Sequence, residues 1–422
     1  MARLEIDRKA HPSAREVVAA LREAGHEAWL AGGCVRDLIL GREPADYDVA
    51  SSATAEEVRN VFRRTVPVKP ELGVTLVLRG EDRIEVTTFR TEGPYLDGRR
   101  PSRVGPASAE LDVRRRDFTI NGLLLDPLSG EIFDHVGGLA DLEAGILRCI
   151  GDPGERFAED HLRILRAVRF AVRFDLSIDP STWAAMLRLS HRVDQLSGER
   201  IHEELEKMFG QGPFHRCLDL LLESGVLGSI SPPLALALGS VRARDRLARW
   251  CRSRLPAVQG LWPAFLGMPL CPWFEEFQPG PTAAVQPAQE RYLERIRASR
   301  TEIDAAALVW TRWPRLHAPL PLPSALAPMF RDRNWTVLRT LLETQVQAGL
   351  EPLPPLEELD RIQERVPLAP PALGHAFQKA GVPKGPLLGQ AIREADRRIL
   401  DEGDVPGAQL VAQVAKSIMG GP

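Results

Sequence analysis

The sequence predicts an α/β (α+β) head with a small mixed sheet, followed by an all-helical neck, body and tail. Three observations predict it. Between residues 27 and 134, short apolar runs of strand length alternate with polar, glycine-punctuated stretches. From about Glu155 the apolar residues recur at three- and four-residue steps, as at Leu162, Leu165, Val168 and Val172, then Ile201, Leu205 and Met208, then Cys217, Leu220 and Leu221. Proline and charge also change near residue 230. Residues 1–230 hold 11 of the 35 prolines, with 31 basic and 38 acidic side chains, whereas the remainder holds 23 and 19. The expected domains are therefore an α/β head at 1–148, a helical neck at 149–230, and a helical body and tail at 231–422.

In chain order, Ala14 to Ala24 reads as a helix stopped by Gly25, and Glu27–Ala31 as a short apolar strand. Gly32 and Gly33 then open a second helix from Val35 to Leu40. Strands are expected at Asp46–Ala50, Val74–Leu78 and Arg83–Phe89, with a helix near Ala55–Phe62. Gly93–Ala109 is polar and rich in Gly, Pro and Arg, which predicts a mobile loop. Strand signals return at Thr119–Leu125 and near Glu131–Asp134, and one helix is expected over 159–173. Proline clusters at 232–233, 314–328 and 352–355 punctuate the helical remainder; 252–330 reads as several short helices joined by irregular loops.

Composition excludes several classes. At 422 residues, 44% hydrophobic and 26% charged, the chain is too long for one core and too apolar for a disordered protein. No run approaches the roughly 18 apolar residues of a membrane span, and the start carries acidic residues where a signal peptide would be apolar, so a cytoplasmic protein is expected. Cys34, Cys149, Cys217, Cys251 and Cys271 lie far apart without a C-x-x-C pair, which predicts buried thiols rather than a zinc site or disulfides. No histidine pair has metal-ligand spacing. A net charge of -3 leans mildly away from nucleic acid, although 48 of the 54 basic residues are arginine, the side chain suited to phosphate and base recognition.

Chemistry concentrates in Leu30–Val49. Gly32 and Gly33 stand between a strand and a helix, where backbone N–H groups can approach an anion, and Arg36 alongside suits a triphosphate. Asp46 and Asp48, two apart on the expected strand, would point to one face and hold a divalent cation. Asp160 and Arg163, three apart on the expected helix, can between them engage the Watson–Crick edge of a base. Glu85 is a candidate third carboxylate.

The segment G-G-x-V-R-D at 32–37 with Asp46-x-Asp48 resembles the signature of the polymerase-β superfamily of nucleotidyltransferases, in the class of bacterial CCA-adding enzymes and bacterial poly(A) polymerases. Arg115-Arg-Asp-Phe-Thr-Ile-Asn121, the stretch Gly151 to Phe170 and Glu199-Arg-Ile-His-Glu-Glu204 are similar to three further blocks of that family, in the same order. The resemblance implies template-independent addition of CMP, CMP and AMP to the tRNA 3′ end from CTP and ATP, with Mg2+ on Asp46 and Asp48. It implies a protein template in Asp160 and Arg163, with Arg166 and Arg169 reaching triphosphate or ribose, Arg116 on phosphate, and Asp117 and Asn121 organising the site. Arg200, with Glu199 and Glu204, is expected to brace the selecting helix. Arg90–Arg103 resembles the family's flexible loop, whose full length favours an enzyme able to add A. The segment Leu373–Arg393, with its G-V-P-K-G-P turn, is similar to the tail that grips the tRNA elbow, making Lys379, Lys384 and Arg393 candidate phosphate contacts. Neither a membrane nor a protein partner is implied. A-adding, CC-adding and poly(A)-adding relatives share these motifs; the intact Asp46 and Asp48 weigh against a non-catalytic RNA-binding relative.

Overall fold

The computed structural model describes residues 11–69, 72–93, 104–211, 213–239, 241–252, 290–312, 316, 320, 322–349, 355–367 and 372–420. The chain divides into two compact units, Met1–Ile230 and Ser231–Pro422.

In the first unit, helix α1 (Pro12–Glu23) leads into β1 (Ala28–Ala31), α2 (Gly33–Ile39), β2 (Asp48–Ser51) and α3 (Ala55–Val61). Thr54 and Glu57 close α3 with a reciprocal capping box. Strands β3 (Thr65–Lys69), β4 (Val74–Arg79) and β5 (Asp82–Thr88) follow, then the pair β6 (Arg90–Glu92) and β7 (Val104–Pro106) and helix α4 (Ala109–Arg114). Strands β8 (Leu123–Leu125) and β9 (Ile132–Asp134) complete a seven-stranded sheet in the order β3-β4-β5-β2-β1-β8-β9. It is mixed: β2 and β5 are parallel and the other neighbours antiparallel.

Alternation along the strands divides the side chains between two faces. One face, with Leu30, Val49, Val77, Ile84 and Val86, is buried against Val17, Val18 and Leu21 of α1 and Val35 and Leu38 of α2. Each such side chain contributes about 1.5–3 kcal/mol. On the other face, Ala31, Ala50 and Leu124 pack with Phe89 and with Val113 of α4.

The chain continues through α5 (Gly138–Glu143) and β10 (Ile146–Leu147) at the end of the head, then through the neck elements α6 (Pro153–Glu159), α7 (Leu162–Phe174), β11 (Ser177–Ile178), α8 (Pro180–Leu189), α9 (Gly198–Gln211), α10 (Phe214–Glu223) and α11 (Val226–Ile230). The neck is not purely helical, since its β11 pairs in parallel with β10 of the head.

Three expected elements differ. Asp46 lies in a bend ahead of β2, so strand alternation does not align it with Asp48. Thr119–Asn121 is a 3₁₀ turn rather than the start of a strand, held where the Thr119 hydroxyl donates to Asp141. The expected helix over 159–173 is two helices. Asp160 ends α6 in an extended conformation, φ -141° and ψ 104°, and its carboxylate accepts from the Leu162 N–H at the start of α7.

The second unit contains α12 (Pro232–Ala237), α13 (Val241–Arg252), α14 (Arg300–Arg312), α15 (Pro323–Phe330), α16 (Trp335–Gln347), α17 (Leu356–Arg365), α18 (Gly374–Lys379), α19 (Pro386–Arg397) and α20 (Ala408–Ile418). Its last three helices share a core of Phe377, Val382, Ala391, Ala395, Leu410 and Val414. The expected loop core at 94–103 and residues 253–289 of the irregular stretch lie outside the described residues. Cys34, Cys149 and Cys217 are buried free thiols; Cys251 and Cys271 are not among the described side chains. No helix among the described residues is long and apolar enough to cross a membrane.

Candidate active site

The site begins where β2 meets β5. Asp48, the first residue of β2, is in register with Glu85 across the parallel pair, so both side chains leave the same face of the sheet. Burial, then Glu85 and also Asp46, push the Asp48 carboxyl up to about 6, against the pull of Arg116. Three carboxylates and one guanidinium therefore share a field. The same crowding reaches below the sheet: burial and then Asp48 push the Cys34 thiol up to about 12, and its Sγ lies 3.3 Å from the Ala31 carbonyl oxygen. Among the described residues, no three His, Cys, Asp or Glu side chains are grouped closely enough to cage a metal ion. Oxygen-only donors suit magnesium, which is commonly held by one or two carboxylates together with substrate phosphates.

Of the two glycines expected near an anion, Gly32 has its N–H committed within the fold. Gly32 has φ +75°, a left-handed conformation that favours glycine, and a Cβ there would stand 2.8 Å from Arg116 Nη1. Its own N–H is spent on the Leu123 carbonyl, so Gly32 makes room for Arg116 rather than donating to an anion. Arg116 pairs with Asp112 at 3.2 Å, while its buried Nε has no partner. Of the arginines in the two head motifs, it is the one aimed at the carboxylates.

Arg36, expected beside triphosphate, lies in the interior. It is 3% exposed. Its Nε and Nη2 donate to Asp37 at 2.9 and 2.7 Å, its Nη1 donates to Asn121 Oδ1, and its guanidinium lies 4.0 Å from the centre of the Phe174 ring. Asn121 in turn donates through Nδ2 to Asp117 at 3.0 Å, and Arg166 donates to the same carboxylate through Nε and Nη2, both at 2.7 Å. Burial alone would raise the Asp117 carboxyl; Arg166, Asn121 and Arg163 outweigh it and hold it near 2.

The base-selecting candidates sit at a joint. Asp160 is gripped by Arg200 of α9 at 3.0 and 2.9 Å and does not share a helix with Arg163. Arg163 donates to Glu159 at 2.7 Å and to the Arg156 and Arg115 carbonyls, each at 3.1 Å. Asp160 thus presents a carboxylate beside a buried, heavily engaged guanidinium. Arg169, expected to reach triphosphate or ribose, is 7% exposed and donates to Glu204 of α9 at 2.7 Å. Arg166 is the more open of the two, a third exposed.

Sequence reasoning missed Phe170 and Phe174, which hold Arg36 against α7. Phe170 lies seven and four residues beyond Arg163 and Arg166, and Phe174 eleven and eight, helical spacings that could have found them. In the second unit, Lys379, Lys384 and Arg393 are all exposed around the turn between α18 and α19, where Gly381 and Gly385 take φ +92° and +113°.

A family profile described as "Poly A polymerase head domain" matches residues 28–148, and one described as "Probable RNA and SrmB- binding site of polymerase A" matches residues 175–238. A CCA-adding enzyme of Streptococcus sanguinis (strain SK36) is 44% identical over 226 residues, 53% of this chain and 56% of that protein. The chain spans about half the length of the curated relatives it matches. The crystal structure of the Bacillus stearothermophilus CCA-adding enzyme in complex with CTP aligns over 97% of this chain and 99% of that one, with TM-score 0.68 and 25% identity. The Thermotoga maritima CCA-adding enzyme complexed with tRNA aligns over 98% and 97% with TM-score 0.64 at 19% identity, a likeness of fold.

Proposed function

We infer, for a chain that belongs to the family of bacterial CCA-adding enzymes and poly(A) polymerases, that it adds CMP, CMP and AMP to the 3′ end of tRNA from CTP and ATP. The observation that carries the reading is the carboxylate pair Asp48 and Glu85 in register on one sheet face, with Asp46 and Arg116 in the same field. Such a site suits nucleotidyl transfer, in which the terminal ribose hydroxyl attacks the α-phosphate and pyrophosphate leaves.

Each residue then has a task. Arg116, kept in place by Asp112 and given space by Gly32, binds triphosphate oxygens through its uncommitted donors. Asp46 and Asp48 would hold magnesium, which supplies charge neutralisation at the reacting phosphate. Asp160, steadied by Arg200, accepts from an exocyclic amine, a group that C and A carry at the relevant edge and U lacks. Asp117 and Asn121 position Arg166 beside this acceptor. Lys379, Lys384 and Arg393 contribute phosphate contacts to the tRNA elbow, and the cytoplasm is where such an enzyme works.

The test uses Mg2+, ATP, CTP and tRNA transcripts that end before CCA, after C and after CC, with products sized on a gel. Three additions followed by a stop are expected. A single A on the CC transcript alone would identify an A-adding enzyme, two C residues alone a CC-adding one, and a long A ladder a poly(A) polymerase. Asp160→Ala is expected to raise relative use of UTP about tenfold or more, the loss of one buried hydrogen bond to a base, while triphosphate binding changes less. Unchanged CTP/UTP discrimination would remove Asp160 from base selection.

A further inference from the structure

Helix α7 meets the head along one face. Arg163 donates to the Arg115 carbonyl, Arg166 grips Asp117, the Phe170 and Phe174 rings lie 5.3 and 4.0 Å from the Arg36 guanidinium, and Arg173 lies 3.6 Å from Asp37. These positions recur at helical spacing, so the whole stripe is consumed in docking. The docking is charged where it could have been apolar. A buried guanidinium is costly unless every donor is matched, and an apolar contact of the same volume stabilises at least as well; buried ion networks are best attested as devices that define a register.

At the centre stands Asn121, on the 3₁₀ turn that follows Asp117. Its carbonyl oxygen accepts from Arg36 and its amide donates to Asp117, so one planar group joins two buried charges of opposite sign. Asn121 is 6% exposed and both ends of its amide are committed. The chain of bonds runs from α2, beside the Gly32 turn, through Asn121 and Asp117 to Arg166, which lies one helical turn from Arg163 and directly follows the first turn of α7, whose Leu162 N–H donates to Asp160.

We propose that Asn121 is a positioning residue for base selection: the relay Arg36–Asn121–Asp117–Arg166 sets the register of α7 on the head, and so the distance between the selecting carboxylate of Asp160 and the carboxylates at which the nucleotide reacts. The proposal rests on the base-selecting role of Asp160. Asn121 acts through its partners Arg36 and Asp117, and so through α7.

Two variants test it in the full-length protein with tRNA ending after C. Asn121→Ala removes both bonds. Arg36→Lys keeps a positive charge but cannot donate to Asp37 and Asn121 from one planar fork; it serves if Asn121→Ala does not fold. In either, the ratio of kcat/KM for CTP to that for UTP is expected to fall about tenfold or more, the order expected when a reacting group is displaced by a fraction of an ångström to an ångström. A purely structural role would lower the melting temperature and slow both nucleotides alike. An unchanged ratio in these variants, with a relaxed ratio in Asp160→Ala, overturns the relay alone. An unchanged ratio in all three overturns the base-selecting reading and the relay with it.

Discussion

Asp48→Asn is expected to abolish incorporation of both nucleotides while leaving the protein as stable as before, or more so. The substitution preserves shape and removes one negative charge from a site where Glu85 and Asp46 already oppose it. Like charges in a buried site disfavour the folded state, so deleting one relieves repulsion. The same charge is what a cation and a reacting phosphate need. Loss of one such electrostatic element costs about 10³-fold in rate, roughly 4 kcal/mol of barrier. Single-turnover incorporation and a thermal melt on the same sample check both halves. Activity within tenfold of the parent would take Asp48 out of the chemistry, and a large drop in melting temperature would mean that its role is structural.

Asp117→Ala should produce the largest loss of stability of any single change in the first unit. It strips Arg166 of two hydrogen bonds and Asn121 of one, leaving a guanidinium and an amide in a buried setting. Breaking one side of a buried pair costs about 3–5 kcal/mol. The effect depends on pH in a definite sense. The folded-state carboxyl is held near 2, below its ordinary 3.8, so its ionised form stabilises the fold fully above the ordinary value. That contribution fades as pH falls from about 4 through 2. Parent and variant urea midpoints should therefore differ by a constant amount at neutral pH and converge in acid; a gap that persists at pH 2 would assign the loss to packing instead of charge.

The strands and the place of the glycine turn were legible because apolar alternation and glycine punctuation are local signals. Asp48 and Glu85 could be named as carboxylates from sequence, but their register depends on a parallel pairing between strands separated by α3, β3 and β4, which no local pattern specifies. The arginines were the hardest side chains to place. Composition cannot distinguish a guanidinium that meets phosphate from one that meets carboxylate inside the fold, and Arg36 and Arg169 are both of the second kind. The break at Asp160 was hidden for a related reason. Residues 155–173 keep helical periodicity throughout, and only the cap made by the Asp160 side chain to Leu162 interrupts the backbone. Thr119–Asn121 looked like strand because β-branched and apolar residues favour extended backbone, whereas the Thr119 hydroxyl is committed to Asp141.

The parallel pairing of β2 with β5 has a consequence for how the site comes into being. An antiparallel hairpin can form as soon as its second strand is made, but parallel neighbours must wait for a crossover to close. A chain emerging from the ribosome can fold α1, β1 and α2 early, yet Asp48 has no opposite number until β5 has returned alongside it. Reactive capacity thus arrives with long-range assembly of the sheet, and a half-made chain carries the glycine turn without a functioning centre.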